Sequence, residues 1–292
     1  MKTILIIGGN RFFGRHLAEQ LIFDGHEVTL LNRGKLGDGL GSRVKRLIAD
    51  RDDERSLVTA IKGKHWDVVY DQVCYTAIQA GIARDVFKNR TNRYVVTSSE
   101  SVYDSGENQS ESEFDPGKYS FSEVADSKTN YQEAKRQVET VMSRETSFEV
   151  AIVRPSLVVG LDDYTGRFKW HLERVLNRLP IFFPNLGISS DFIRSDQAGQ
   201  ALKTIGLSGQ CGPINLSTPG SILMKNFISI CESATNQKAV LLDQEIEGAH
   251  SPYGGTHSKT MNTDLLQSLG FRSSPSDVWM ADLASEITQL IR

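Results

Sequence analysis

The stretch TILIIGGNRFFG, residues 3–14, carries the clearest indication of the fold of this chain. Thr3 to Ile7 are apolar or β-branched, Gly8 and Gly9 follow at once, and apolar residues at helical spacing begin near Phe13. Glycines between a strand and a helix permit positive φ and let backbone N–H groups approach a phosphate at the helix N-terminus. The stretch therefore predicts a strand, a tight turn and a helix that together bind the diphosphate of a dinucleotide.

This turn departs from the common pattern G-x-G-x-x-G, because Arg11 stands where a central glycine is expected. An arginine at that place adds a guanidinium beside the phosphates. The predicted phosphate-binding residues are Gly8, Gly9, Asn10, Arg11, Phe12, Phe13 and Gly14.

Apolar strands and amphipathic helices alternate through the first half of the chain. Predicted strands lie at residues 3–7, 27–31, 44–49, 67–70, 93–97 and 148–153, and predicted helices at 13–24, 52–61, 77–88 and 131–144. Near-continuous apolar strands separated by helices indicate buried parallel strands with right-handed crossovers. We expect a doubly wound α/β sheet of the Rossmann type, with a long surface loop at 104–129.

The pattern loosens beyond Pro155 into mixed short elements, which predicts a smaller mixed C-terminal lobe that binds substrate. We assign residues 1–160 to the dinucleotide-binding domain and expect residues 188–217 to return to it. Residues 161–187 and 218–292 then form the substrate lobe.

Composition excludes several classes of protein. The chain has 292 residues, 39% hydrophobic and 24% charged, as is usual for a soluble globular protein. Its formal net charge of -3 gives no overall positive field and does not favour nucleic acid as a partner. No apolar run approaches the roughly 18 residues of a membrane span, so we expect a cytoplasmic protein without a membrane partner. Three cysteines without a C-x-x-C pair and six scattered histidines predict neither a disulfide framework nor a metal site.

The end of the second predicted strand bears on the choice of cofactor. NAD-specific sites usually place a carboxylate there for the ribose 2′-hydroxyl, but this chain has Asn32 and Arg33, with Lys35 nearby. Because an arginine suits a 2′-phosphate, the sequence favours NADP over NAD. After the third strand, Asp50 and Arg51 are expected near the adenine, where Asp50 can accept from the exocyclic amine.

Tyr131 and Lys135 are four residues apart in a predicted helix, so their side chains share one face. A lysine charge beside a phenol favours the phenolate and lowers the pKa of a tyrosine from its usual value near 10. Such a tyrosine can act as a general base near neutral pH. A serine from the strand end at residues 98–101 can donate to a substrate oxygen while hydride passes to or from a nicotinamide.

These segments together resemble the short-chain dehydrogenase/reductase superfamily, in its extended, NAD-dependent epimerase/dehydratase-like branch. The resemblance rests on the glycine turn, SSESVY at 98–103, YQEAK at 131–135, RPSLVVG at 154–160 and DFIRSDQAGQAL at 191–202. It implies that Ser99, Tyr131 and Lys135 are catalytic, and that Pro155 and Ser156 lie near the nicotinamide. It also implies a homodimer through the helix that carries the tyrosine and lysine.

The form of the glycine turn resembles an atypical subgroup that keeps the triad, some of whose members are chloroplast RNA-binding proteins. Sugar-nucleotide dehydratases carry Thr-Asp-Glu where this chain has Ser99-Glu100-Ser101, so elimination of water by paired acids is not expected. Glu100 stays a candidate auxiliary acid if it faces the cavity. In the second lobe, the residues expected to line the substrate cleft are Phe168, Trp170, His171 and Arg174, with Arg174 or Arg167 placed to meet a diphosphate. Packing within the lobe explains the aromatic residues at least as well.

Three hypotheses for function remain open. The first is an NAD(P)-dependent epimerase or oxidoreductase for a small substrate, with nucleotide sugars as the first class to test. The second is a simple NADPH-dependent carbonyl reductase. The third is a cofactor-binding regulatory or RNA-binding protein without turnover, for which Arg43, Lys45 and Arg46 are a candidate basic patch.

Overall fold

The computed structural model describes residues 1–145 and 147–292. In the first half of the chain the elements are, in order, β1 (Thr3–Ile7), α1 (Phe12–Phe23), β2 (Glu27–Asn32), β3 (Lys45–Ile48), α2 (Glu54–Ala60), β4 (Trp66–Asp71), α3 (Ala77–Phe87), β5 (Thr91–Thr97), β6 (Gly106–Gln109), α4 (Tyr131–Ser143) and β7 (Glu149–Pro155).

In the second half they are β8 (Leu157–Val159), α5 (Arg167–Leu176), β9 (Pro180–Phe182), β10 (Ser189–Ser190), β11 (Phe192–Arg194), α6 (Ser195–Ser208), β12 (Gly212–Leu216), β13 (Ile222–Leu223), α7 (Met224–Thr235), β14 (Val240–Leu242), β15 (Lys259–Met261), α8 (Asp264–Ser268) and α9 (Ser276–Ile291).

Within the described residues, the main sheet has seven strands in the order β12-β7-β5-β4-β1-β2-β3, and every pairing in it is parallel. The chain runs outward from β1 to β3, then returns and continues from β4 to β12 on the other side. The two directions diverge at β1 and β4, where the crevice above the strand ends is the usual ligand site of such sheets. The prediction of a doubly wound, Rossmann-type α/β fold is confirmed.

Alternation along β1 divides the hydrophobic core between the two faces of the sheet. Ile4 and Ile6 pack on one face in a cluster with residues of α1 and α6, whereas Leu5 and Ile7 pack on the other with residues of α2, α3 and α4. All four side chains are almost fully buried. Helices cover both faces, which explains the near-continuous apolar strands in the sequence.

The C-terminal lobe is built from short strands around a separate core. Its elements include the pairs β8-β11 and β9-β14 and the mixed sheet β13-β10-β15-β6. Phe168, Phe192 and Phe227 pack together at its centre with residues of α9. Of the segment expected to return to the first domain, β12 pairs with β7 in the main sheet, while β10 and β11 pair elsewhere. The domain boundaries themselves stay a prediction.

The segment at 104–129 is more ordered than the loop that the sequence predicts. It contains β6, which pairs with β15 of the C-terminal lobe. Arg154, fully buried, fixes this segment by donating to the carbonyl of Phe114 at 2.8 Å and to Tyr103 Oη at 2.7 Å, while it pairs with the Glu139 carboxylate at 2.6 Å. The buried cation therefore holds the segment through the backbone carbonyls of Glu111 and Phe114.

Two further observations concern the whole described chain. No helix in residues 1–145 and 147–292 has the length and apolar content needed to cross a membrane. Cys74 and Cys231 are buried, Cys211 is exposed, and all three carry free thiols.

Candidate functional site

A cavity of about 600 Å³ lies at the carboxyl ends of the central strands. The residues that the sequence proposed for the cofactor and for the catalytic triad all line it. These residues are Gly8, Gly9, Asn10, Arg11, Phe12, Phe13, Gly14, Asn32, Arg33, Asp50, Arg51, Ser99, Tyr131, Lys135, Pro155 and Ser156. The structure brings them together from separate segments of the chain, and their individual roles stay predictions.

The glycine turn is shaped for close approach of a ligand to the backbone. Gly9 has a φ of +72°, and a Cβ there would lie 2.6 Å from Ile6 Cγ2. At Gly14 a Cβ would lie 3.0 Å from Gly9 Cα, so α1 packs directly on the turn. Arg11 is the N-cap of α1 and makes no side-chain capping bond, which leaves the first helical N–H groups for an anion.

The end of β2 presents positive charge to the cavity. Arg33 and Lys35 are exposed and line it, while Asn32 Oδ1 accepts from the backbone N–H of Gly34 at 2.8 Å. The next acid along the chain, Asp38, is paired with Arg46 at 2.7 Å. Residues 32–36, at this part of the cavity, include no carboxylate that would repel the anionic group of a ligand.

Asp50 and Arg51 differ in their surroundings. Asp50 Oδ1 accepts from the backbone N–H of Asp52 at 3.1 Å and lies at the cavity wall. Arg51 is buried and pairs with Asp71, a fully buried carboxylate that also accepts from Tyr94 Oη at 2.8 Å. Arg51 therefore lines the cavity with a guanidinium that is already paired with a buried carboxylate.

Tyr131 and Lys135 stand one turn apart at the start of α4. Asn130 caps this helix, its Oδ1 accepting from the backbone N–H of Glu133, so Tyr131 is the first helical residue. Lys135 is almost fully buried and donates to the carbonyls of Cys74 and Thr97 at 2.8 and 2.9 Å. Its Nζ lies 5.7 Å from the centre of the Tyr131 ring. The ammonium is thus fixed beside a phenol that is 39% exposed.

Ser99 and Glu100 follow directly after β5. Ser99 Oγ accepts from the backbone N–H of Ser101 and donates to Ser101 Oγ, both at 3.1 Å. Glu100 lines the cavity, and its buried Oε2 has no hydrogen-bond partner. Burial, together with the negative charge of Asp191, raises the pKa of Glu100 to about 8, while Lys259 and Arg167 act in the opposite direction. A carboxyl group that is largely protonated at neutral pH therefore stands next to Ser99.

Several other buried polar atoms around the cavity also lack partners among the residues that the structure describes. They are both side-chain amide atoms of Gln72, Thr97 Oγ1, Ser98 Oγ, and Nε and Nη1 of Arg51. Buried polar atoms are almost always hydrogen-bonded in native proteins. Such a concentration in one cavity fits a polar ligand that completes these bonds, and with the glycine turn it fits a dinucleotide.

The sequence prediction did not include Gln72, Thr97, Tyr75, Tyr164 or Thr165 and gave Ser98 no role of its own, yet all of them line the cavity. Gln72, Thr97 and Ser98 lie at the carboxyl ends of β4 and β5, so their position after predicted parallel strands was the available signal. The loop between β8 and α5, which supplies Tyr164 and Thr165, carried no comparable signal.

The expected second-lobe residues separate into two groups. Arg167 lines the cavity, whereas Arg174 donates to the carbonyl of Pro180 and its guanidinium lies 4.6 Å from the Trp170 ring centre. Phe168 and His171 are buried in the core of the lobe, and burial lowers the pKa of His171 to about 3. Packing, the alternative explanation, thus accounts for these two. In the described part of the chain, no group of three His, Cys, Asp or Glu side chains is placed to hold a metal ion.

The fold is of the Rossmann type, and the cavity lies where such folds bind a dinucleotide. A family model described as the NAD dependent epimerase/dehydratase family matches residues 4–183, and the chain belongs to that family. This membership confirms the expected epimerase/dehydratase-like branch of the superfamily, and the description of the family supports NAD dependence at the level of the family.

Solved structures with the same fold include two bacterial sugar-nucleotide epimerases. The UDP-glucose 4-epimerase of Thermotoga maritima, with UDP-glucose, matches with a TM-score of 0.77 at 14% identity, covering 99% of this chain and 98% of that chain. The UDP-glucose 4-epimerase of Thermus thermophilus, in complex with NAD, matches with a TM-score of 0.73 at 15% identity, covering 98% and 99%. Identities this low establish the fold alone.

A curated relative is the chloroplast stem-loop binding protein of 41 kDa b from Arabidopsis thaliana. It is 27% identical over 200 residues, which are 64% of this chain. The match spans 50% of the length of that relative.

Proposed function

We propose that this protein is an NAD(P)-dependent epimerase or oxidoreductase that acts on a hydroxyl or carbonyl group of a small substrate. The observation that carries the proposal is one cavity lined by both the glycine turn and Ser99, Tyr131 and Lys135. Membership of the NAD dependent epimerase/dehydratase family supports it. Nucleotide sugars are the first substrate class to test, since two proteins of the same fold are named for UDP-glucose.

In this proposal Tyr131 takes and returns the proton of the substrate hydroxyl. Lys135, held by two backbone carbonyls, keeps a positive charge at a fixed place beside the phenol, with its Nζ 5.7 Å from the centre of the Tyr131 ring. Ser99 donates a hydrogen bond to the substrate oxygen in place of the one that it donates to Ser101 Oγ, and so holds that oxygen near Tyr131. The bound dinucleotide supplies the hydride acceptor and donor.

We also propose that NADP(H) binds more tightly than NAD(H). Arg33 and Lys35 line the cavity where a 2′-phosphate would lie, and Asp38 is neutralised by Arg46. Calorimetric titration of the wild type and Arg33→Ala with NADPH and NADH tests this. Loss of a charged hydrogen bond of about 1.5–3 kcal/mol predicts roughly 10- to 100-fold weaker NADPH binding, with NADH little changed. Equal losses for both dinucleotides would assign Arg33 to a shared part of the cofactor.

Turnover is tested with UDP-glucose and UDP-N-acetylglucosamine as trial substrates. Tyr131→Phe should keep cofactor affinity near the wild-type value and lose turnover by orders of magnitude, because it lacks the proton-transferring group. An epimerase converts substrate with no net change in cofactor absorbance, whereas a carbonyl reductase oxidises one NADPH per product. If a substrate is turned over equally well by Tyr131→Phe, the assigned mechanism is wrong.

RNA binding is the second candidate, because a relative is named a stem-loop binding protein. Two members of the expected basic patch are already paired: Lys45 with Glu27 at 2.5 Å and Arg46 with Asp38. These pairs weaken the patch as a phosphate-binding surface. Filter binding to a stem-loop RNA at about 50 and 200 mM salt separates the candidates, since phosphate contacts weaken steeply with salt.

Sedimentation of the same sample tests the homodimer.

A further inference from the structure

The loop at 160–166, between β8 and α5, crosses from the C-terminal lobe to the glycine turn. At its tip, the Tyr164 ring lies under the Arg11 guanidinium, with Arg11 Cζ 3.6 Å from the ring centre. The same ring meets Phe12 edge-on, with ring centres 5.8 Å apart at 83°. Tyr164 and Arg11 both line the cavity. Two regions far apart in sequence therefore close over the place expected for the diphosphate.

The base of this loop is fixed to the two helices beneath it. Asp162 accepts from Ser195 Oγ of α6 at 2.6 Å and pairs with His16 Nε2 of α1 at 3.0 Å. Gly160 lies so close to Ser195 that a Cβ on it would collide with the serine hydroxyl. Because α1 begins at the glycine turn, the loop and the turn share one support.

The tip is held differently from the base. Asp163 Oδ1 accepts from the backbone N–H and the hydroxyl of Thr165, at 2.9 and 2.6 Å, which closes a small turn around Tyr164. The Tyr164 side chain itself is 55% exposed. The ring can therefore leave Arg11 without opening a hydrophobic core, while the base of the loop stays in place.

Arg11 is well placed to meet an anion. Within the described residues, no carboxylate lies within 4.0 Å of its guanidinium, whereas Arg51, which lines the same cavity, is paired with Asp71. Stacking on an aromatic face orients a guanidinium yet leaves its in-plane N–H donors free for phosphate oxygens. Tyr164 thus restricts the side chain of Arg11 without using its donors.

We propose that Tyr164 is a positioning residue that holds Arg11 over the dinucleotide diphosphate, and that the loop at 160–166 acts as a strap that slows dinucleotide release. The proposal rests on the proposed dinucleotide site. It deepens that function, because an enzyme that removes and returns the same hydride needs its cofactor retained between the two steps. A strap that crosses the diphosphate supplies that retention.

Stopped-flow release of NADPH, displaced by excess NADP⁺, tests the strap in the full-length protein. Tyr164→Leu should release NADPH about 5- to 30-fold faster than the wild type, in the range of a cation–π contact. Tyr164→Phe keeps the ring face and should keep slow release. Leu161→Ala is the matched control, because Leu161 is an exposed apolar residue of the same loop outside the main cavity.

Two further measurements separate positioning from general damage. Arg11→Gln should release NADPH at least as fast as Tyr164→Leu, and the double variant no faster than Arg11→Gln, because the tyrosine acts through the arginine. Adenosine, which lacks the diphosphate, should bind all variants equally in competition titrations. The strap would be overturned if the variants lost affinity for adenosine as they do for NADPH. It would also be overturned if the two substitutions multiplied their effects on the release rate in the double variant, or if Tyr164→Leu released NADPH at the wild-type rate.

Failure of the strap is distinguishable from failure of the proposed function. If the wild type binds neither NADPH nor NADH, the dinucleotide site is wrong and the strap falls with it. If the wild type binds and Tyr164→Phe releases as fast as Tyr164→Leu, the site stands and the stacking role of the ring is wrong.

Discussion

Replacement of Gly9 is a direct test of the phosphate-binding turn, because the structure gives both of its physical consequences. Gly9 has a φ of +72°, a left-handed conformation that disfavours an L-side chain. A Cβ there would lie 2.6 Å from Cγ2 of Ile6, which is fully buried in a central strand. Gly9→Ala therefore combines an unfavourable backbone conformation with a collision that cannot relax into solvent.

The expected magnitude follows from these two contributions. The left-handed conformation costs an L-residue about 1–2 kcal/mol, and overpacking a tight core costs about 1–3 kcal/mol. We expect Gly9→Ala to lower the free energy of unfolding by about 2–5 kcal/mol. Gly25 is the matched control, since it has a φ of +78° and a Cβ added to it would meet no other atom within 4 Å. Gly25→Ala should therefore lose only about 1–2 kcal/mol.

Urea unfolding followed by circular dichroism measures both variants. A protein of typical stability, about 5–15 kcal/mol, keeps Gly9→Ala folded enough for ligand binding. NADPH titration should then show at least about tenfold weaker binding for Gly9→Ala, because displaced N–H groups lose charged hydrogen bonds. Gly25→Ala, at the far end of α1, should bind as the wild type does.

Two results would refute this reasoning. Equal destabilisation of the two variants would mean that contact with Ile6 adds nothing to the cost at Gly9. Wild-type NADPH affinity in a destabilised Gly9→Ala protein would mean that the glycine turn does not hold the phosphates.

Two further predictions concern buried charge. The folded-state pKa of Glu100 is about 8. Between the usual pKa of a glutamate and pH 8, the folded protein therefore holds a proton at Glu100 that the unfolded chain has released. The stability contributed by that proton is lost as pH rises towards 8. Glu100→Gln should therefore gain stability relative to the wild type as pH rises from about 5 to 9, by roughly 3–5 kcal/mol, since each unit of pKa difference corresponds to about 1.4 kcal/mol; a pH-independent difference in urea midpoints would contradict this. Arg154→Met leaves the buried Glu139 carboxylate unpaired and should lose about 3–5 kcal/mol. Adding Glu139→Gln should recover part of that loss, and a loss below about 1 kcal/mol for the single variant would show that the carboxylate finds another partner.

The sequence by itself determined the features that depend on local periodicity. Apolar strands alternating with amphipathic helices specify a parallel sheet, since right-handed crossovers leave few other arrangements. The glycine turn follows the first strand, and Tyr131 and Lys135 share a helix face because the helical repeat puts residues four apart together. Parallel strands also bring their carboxyl ends to one edge, so these segments were expected to meet.

Only the tertiary structure decided which polar groups meet across the cavity and which are already satisfied. Arg33 and Arg51 each follow a predicted strand, so the sequence does not distinguish them. In the structure Arg51 pairs with buried Asp71, whereas Arg33 stays exposed. Tyr164 reaches Arg11 because its loop is tied to α1 and α6, a contact between residues far apart in the chain. Periodicity reports which face of an element is buried, but burial, pairing and charge state depend on elements that pack from elsewhere in the chain.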